Sequence, residues 1–173
     1  MTKREFIEHE VIALSIQGAF QRANVYKPGT PDSSRDDLRK RLSSKLRGLR
    51  NQYADPVSGE RHKENINQLA NDLTAEFGNI LCKGKFRIGI AQKALNLYLK
   101  YLWCMDQAAL PPNCPFDSGI IGKLPLTPQQ KRELEWTRLD RMDGYQALVE
   151  AGEKKIKETG DPSMAEWELR QWA

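Results

Sequence analysis

With 173 residues, of which 39% are hydrophobic and 29% charged, the chain has the length and composition of one globular helical or mixed domain rather than of a disordered or fibrous polypeptide. No apolar run approaches the roughly 20 residues that span a bilayer, and the N-terminal segment, broken by Glu8, His9 and Glu10, reads as neither a membrane span nor a signal peptide. The three cysteines Cys82, Cys104 and Cys114 include no close pair and, with only His9 and His62 to join them, no zinc-like spacing, so the sequence points to a reduced cytoplasm, without metal or cofactor.

The net charge of +4 favours an anionic partner weakly, and its distribution says more. Between Arg35 and Arg50 lie Arg35, Arg39, Lys40, Arg41, Lys45, Arg47 and Arg50 against only Asp36 and Asp37, while the acids gather towards the C-terminal third. That basic stretch reads either as a phosphate-contacting face or as a solvated one.

Phe6, Ile7, Val11, Leu14 and Phe20 repeat at three- and four-residue spacing and predict a first amphipathic helix over about residues 3–24. Pro28 to Pro31 ends it. Ser33 or Ser34 can cap a second helix, with Asp36 and Asp37 in its first turn and Leu38, Leu42, Leu46 and Leu49 as its buried stripe. After the Asp55–Gly59 loop a third helix runs through Ile66, Leu69, Leu73, Phe77 and Leu81, its exposed sides rich in Asn and Gln, until Lys83-Gly84-Lys85 breaks it. The fourth helix, about Ile88 to Met105, is apolar around most of its circumference and belongs in the middle of the domain. Its polar stripe, Gln92, Lys93, Asn96 and Lys100, reads as solvent-facing.

Prolines keep Leu110 to Pro115 extended, after which Asp117 stands where a helix N-cap should be, ahead of Ser118 to Leu124. Thr127-Pro128 has the form of another helix start, and helical patterning continues, with a break near Trp136-Thr137, to about Lys157. Gly160-Asp161-Pro162-Ser163 precedes a last short helix carrying Met164, Trp167 and Trp172. The expectation is a single all-α domain over residues 1–173, with a central buried helix. Trp103, Trp136, Trp167 and Trp172 read as core or interface anchors, an exposed one being able to stack on a base, and Cys104 and Cys114 as small buried hydrophobes.

The stretch Phe86-Arg87-Ile88-Gly89-Ile90-Ala91-Gln92-Lys93, followed by Cys114-Pro115-Phe116-Asp117, carries the sharpest functional signal. A glycine at a helix start lets backbone amides approach a phosphate, and Lys83, Lys85 and Arg87 add positive charge beside it. Over residues 77–124 the order of elements resembles the helix-hairpin-helix DNA glycosylases, whose Gly-x-Gly-x-Lys pattern is met at Gly89 and Lys93 with Ala91 at the second glycine. Their Pro-(Val or Ile)-Asp element is met by Pro115-Phe116-Asp117.

The resemblance implies a helix-hairpin-helix-like turn, DNA as partner, Lys93 as a Schiff-base nucleophile after base flipping, and Asp117 as the group stabilising positive charge on the sugar. Nucleic-acid contacts would come from Lys83, Lys85, Arg87 and Gly89, with Arg39 and Arg47 on the basic helix. The Ala-Gln-Lys helix followed by Cys-Pro-x-Asp is also similar to a group of bacterial proteins, a likeness that implies no function. Read alone, the residues leave three functions open: a glycosylase with lyase activity, a nucleic-acid-binding module without chemistry, and a protein-interaction domain. Lys93 then has a surface role as its alternative, and Asp117 that of a cap alone.

Overall fold

The computed structural model describes residues 1–172, and within them the chain is all-α, with no strand among the described residues. Local chemistry sets most helix starts. In α1 (Lys3–Phe20), Thr2 Oγ1 accepts from the Glu5 amide while the Glu5 carboxylate accepts from the Thr2 amide, a reciprocal capping box. The helix stops at Phe20 rather than near 24 because Arg22 and Asn24 adopt φ of 63° and 45°. α2 (Asp32–Arg50) begins at the residue after Pro31, so Ser33 and Ser34 lie inside its first turn instead of capping it.

Ser58 caps α3 (Gly59–Phe77) through the Arg61 amide, and Gly78 closes it short of Leu81. Leu81 instead pairs with Tyr26 in an isolated antiparallel bridge, with Cys82 donating to the Val25 carbonyl at 2.9 Å. Residues 78–87 therefore form a loop with one 3-10 turn at Cys82–Gly84, where Lys83 takes φ 57° and Gly84 φ 70°. This loop occupies the segment in which the resemblance implies a helix-hairpin-helix-like turn.

α4 (Ile88–Cys104) follows, then the extended prolines, α5 (Ser118–Lys123), α6 (Pro128–Glu133), α7 (Met142–Thr159) and α8 (Met164–Arg170). Asp117 caps α5 and Thr127 forms a capping box with Gln130 on α6, both as the sequence indicates. Gly160, at φ 73°, ends α7 in the left-handed conformation that glycine adopts without cost.

α4 is the central helix, packed against α1, α2, α3 and α7. Fourteen of its residues are buried, too many for its apolar side chains alone, so its polar stripe goes inside with them. Leu38, Leu42 and Leu46 of α2 and Ile66, Leu69 and Leu73 of α3 complete the core on one side. α1 turns a different face inward from the one its periodicity suggests. It buries Val11, Ile12, Ser15, Ile16 and Ala19 and leaves Phe6 51%, Ile7 41% and Leu14 49% exposed. Among the described residues no helix is long and apolar enough to cross a membrane.

Candidate functional site

The stripe expected to face solvent on α4 lies in the core: Gln92, Lys93, Asn96 and Lys100 are all buried. Buried polar groups need partners, and Gln92, Asn96 and Lys100 have them in hydrogen bonds, while the Lys93 ammonium meets the Trp136 ring. His62 of α3, whose neighbour Asn65 is also buried rather than exposed, donates from Nε2 to Asn96 Oδ1 at 2.8 Å. Its Nδ1 accepts from the Tyr53 hydroxyl at 2.8 Å, and Asn65 donates to that same oxygen at 2.9 Å. Burial pushes the His62 pKa down to about 4, so the ring is neutral near pH 7. Asn96 Nδ2 in turn donates to Gln92 Oε1 at 3.2 Å, and Asn113 donates to the Tyr145 hydroxyl at 3.0 Å.

Gln92 joins this network to the candidate site. Its side-chain amide pairs with the backbone of Phe116, next to Asp117, and Nε2 also donates to the Gly89 carbonyl at 3.0 Å. Asp117 Oδ1 accepts from the Ile120 amide at 3.0 Å, which fixes its carboxylate at the start of α5.

Lys93, the residue after Gln92, is 8% exposed, and its ammonium sits 4.0 Å from the centroid of the Trp136 ring. Among the described residues no carboxylate oxygen lies within the 4.0 Å of an ion pair with it. Burial lowers its pKa; Asp117 is the main charge opposing that shift, Arg22 deepens it, and Glu135 opposes it more weakly. Trp136 Nε1 donates to Ser118 Oγ at 3.2 Å, and the Ser118 hydroxyl donates to Glu135 at 2.6 Å. The Lys93 ammonium is thus in contact with Trp136, which Ser118 links to Glu135, and it feels the charges of Asp117, Arg22 and Glu135. The arrangement can hold an amine partly desolvated within the electrostatic reach of a fixed carboxylate.

Gly89 serves packing. A Cβ there would run into the Trp136 carbonyl, and the Gly89 amide donates to the Leu139 carbonyl at 2.8 Å. That amide is therefore not free to meet a phosphate, which corrects the expectation for this residue. Arg87 is buried as well, its guanidinium directed at the carbonyls of Ala23 and Asn24. Lys83 and Lys85 are exposed on the preceding loop, Lys85 lying 3.6 Å from the Asp140 carboxylate.

The basic helix divides its charges. Arg41 makes two hydrogen bonds to Glu76, Lys45 binds Asp72 and Arg50 binds Glu8, so these cations hold helices together. Arg39 and Arg47 instead line a groove of about 760 Å³ between α1 and α2. Trp136 and Trp167 are core residues, Cys114 is buried and Cys104 is exposed, against expectation. Trp172, 68% exposed, donates to Glu168 at 2.8 Å and lies over the Lys100 ammonium.

Sequence reasoning missed Gln92 as the clamp, and Arg22, Ser118, Glu135 and Trp136 as neighbours of Lys93. The available signal was the presence of Ala-Gln-Lys and Cys-Pro-x-Asp in the same chain, two elements that the Gln92 amide ties together. Compared with protein-family models, curated proteins and solved structures, the chain matches none.

Proposed function

We propose that the chain is a DNA-binding helical protein in which Lys93 is the nucleophile of a glycosylase or abasic-site lyase reaction and Asp117 supports the positive charge that develops on the sugar. The observation that carries this reading is the state of Lys93: a residue only 8% exposed, its amine depressed in pKa by burial, with the Asp117 carboxylate acting on it electrostatically and no ion pair formed. A lysine must lose its proton to attack carbon, and desolvation is a standard way to make that loss affordable near neutral pH. At an abasic site the neutral amine adds to the C1′ aldehyde to give a carbinolamine, which takes up a proton on its hydroxyl and loses water, leaving an iminium ion whose positive charge Asp117 would offset. The recessed position of the amine requires the sugar to be turned out of the duplex to reach it. Phosphate contacts in this reading come from Lys83 and Lys85 near the start of α4, with Arg22 beside the amine.

Borohydride trapping tests it. Incubating the full chain with a duplex containing one abasic site and sodium borohydride should give a denaturation-resistant protein–DNA adduct, absent from Lys93→Ala and Lys93→Arg. No adduct with the native chain, or an adduct that persists in Lys93→Ala, removes Lys93 as nucleophile. The outward position of Lys83 and Lys85 supports a second reading, nucleic-acid binding without chemistry. It calls for salt-dependent binding that weakens in Lys83→Ala/Lys85→Ala while strands stay intact, and absence of binding at low salt rejects both readings.

A further inference from the structure

We propose that the groove between α1 and α2 is a docking site for an amphipathic helix of a partner protein, one whose apolar stripe is flanked by carboxylates. This does not rest on the Lys93 reading. Arg50 near the end of α2 pairs with Glu8 near the start of α1 at 3.0 Å, so the two helices run antiparallel and leave a trough of about 760 Å³ between them. Its floor is apolar, formed by Ile12, Ala13, Ile16 and Phe20 of α1. Its other wall is basic, with Arg39, Lys40 and Arg47 on α2. Among the described residues Lys40 and Arg47 have no carboxylate partner, and Arg39 has only the exposed Asp36 at 3.6 Å.

The spacing of charge and apolar surface identifies the occupant. Arg39 and Arg47 are two turns apart, so the cations extend along about 12 Å of the trough. An anionic amphiphile carries one charged end and would leave most of that wall unmatched, whereas carboxylates recurring at i, i+4 and i+8 on a helix meet it along its length. Of the lining residues only Phe20 and His9 carry rings, about 16 Å apart along α1, so successive bases have no platform to stack on, which disfavours a nucleic-acid strand. Phe6, half exposed, lies on the same side of α1 as Ala13 and Phe20 at seven-residue spacing, with His9 and Gln17 between them on the lining, so apolar side chains recur along about 21 Å of the helix. A strip of that length, open and edged with positive charge, has the dimensions of a helix-in-groove site.

The probe is a fluorescein-labelled helix-forming peptide of about four turns with leucine at the i, i+3, i+4 and i+7 positions and glutamate on both flanks. Two controls replace its glutamates with lysine or its leucines with alanine. Anisotropy with the full chain should show saturable binding of the leucine–glutamate peptide alone. Binding should weaken at least about tenfold in Arg39→Glu/Arg47→Glu and in Ala13→Trp, which fills the trough from an exposed position, with circular dichroism unchanged. Equal binding of the lysine peptide, no binding of any peptide, or binding that both variants leave intact overturns the proposal. So does displacement of the peptide by single-stranded DNA or laurate at lower concentration than by unlabelled peptide, or self-association of the chain that Ala13→Trp abolishes. Lys93→Ala should bind the peptide as the native chain does, so failure of the lyase reading leaves this result in place.

Discussion

The side-chain amide of Gln92 satisfies both backbone polar groups of Phe116, donating from Nε2 to the carbonyl at 2.8 Å and accepting at Oε1 from the amide at 3.2 Å. A core helix thereby supplies what a neighbouring strand would supply elsewhere, and it holds the segment before α5 in register. Asp117 is the residue after Phe116 and Lys93 the residue after Gln92, so the clamp sets the relation between the two groups of the candidate site.

Gln92→Leu keeps the volume and leaves both Phe116 groups without partners in the core. Each buried unpaired group costs about 1–3 kcal/mol, so the variant should lose about 2–6 kcal/mol of stability. Urea unfolding reads this directly. An unchanged midpoint would mean that the Phe116 backbone reaches water or another donor, and that the clamp is dispensable.

Glycine to alanine inside a helix usually gains stability, by roughly 0.5–1 kcal/mol. At Gly89 the sign should reverse, because the added methyl meets the Trp136 carbonyl, which is backbone and cannot rotate away. The expected result for Gly89→Ala is a loss of about 1–3 kcal/mol, together with a changed Trp136 fluorescence spectrum as the 135–139 turn is pushed off α4. A gain in melting temperature would show that this turn yields easily.

What could be read from the sequence was local. Asp117 and Thr127 announce their caps because one side chain and one amide three residues on decide the matter. The inward face of α1 was not legible, since apolar residues occupy most of its circumference and both candidate stripes look adequate until α4 selects Ile12, Ile16 and Ala19. The polar stripe of α4 was misread for the opposite reason. Gln92 and Asn96 look like surface residues until partners distant in sequence, His62, Phe116 and Tyr145, are brought to them by the fold. The groove-facing side of α2 was visible as charge, but which cations pair with α3 depends on the approach of Asp72 and Glu76, and that is tertiary.

His62 should make stability depend on pH. Its folded pKa is depressed from 6.5 to about 4 by burial, so between these values the unfolded chain binds a proton that the folded chain does not. Stability therefore falls as pH drops from 6.5 towards 4, by about 3 kcal/mol at full effect, and this contribution falls no further below that window. The difference between the native chain and His62→Gln, measured by urea unfolding at intervals from pH 7.5 to 4.5, isolates it from the carboxylates. Parallel curves for the two proteins would mean that His62 is already protonated, or that it titrates in place without penalty.

A largely buried lysine without an ion-pair partner lowers stability at neutral pH, and Lys93→Met removes that cost while preserving the contact with Trp136. Melting temperature should stay level or rise in Lys93→Met as the borohydride adduct disappears. That combination is the mark of a residue held for its chemistry rather than its packing. A clear drop in melting temperature would instead make the ammonium–indole contact a structural element.

The second buried lysine of α4 should behave in the opposite way. Lys100 meets Glu168 at 2.7 Å, both buried, and the Lys100 ammonium and the Trp172 indole N–H both hydrogen-bond Glu168 Oε1 while Oε2 has no hydrogen-bond partner, so α8 is attached to the central helix through a buried charge pair. Removing one partner leaves a bare charge in the core, and Glu168→Leu or Lys100→Met alone should each lose about 3–5 kcal/mol. The double variant removes both charges together and should recover most of that loss, because apolar replacement of a whole buried pair is often neutral or better. A double-mutant cycle by chemical unfolding measures the coupling. Additive losses would place the pair in water and make the attachment of α8 a matter of Met164 and Trp167 packing alone.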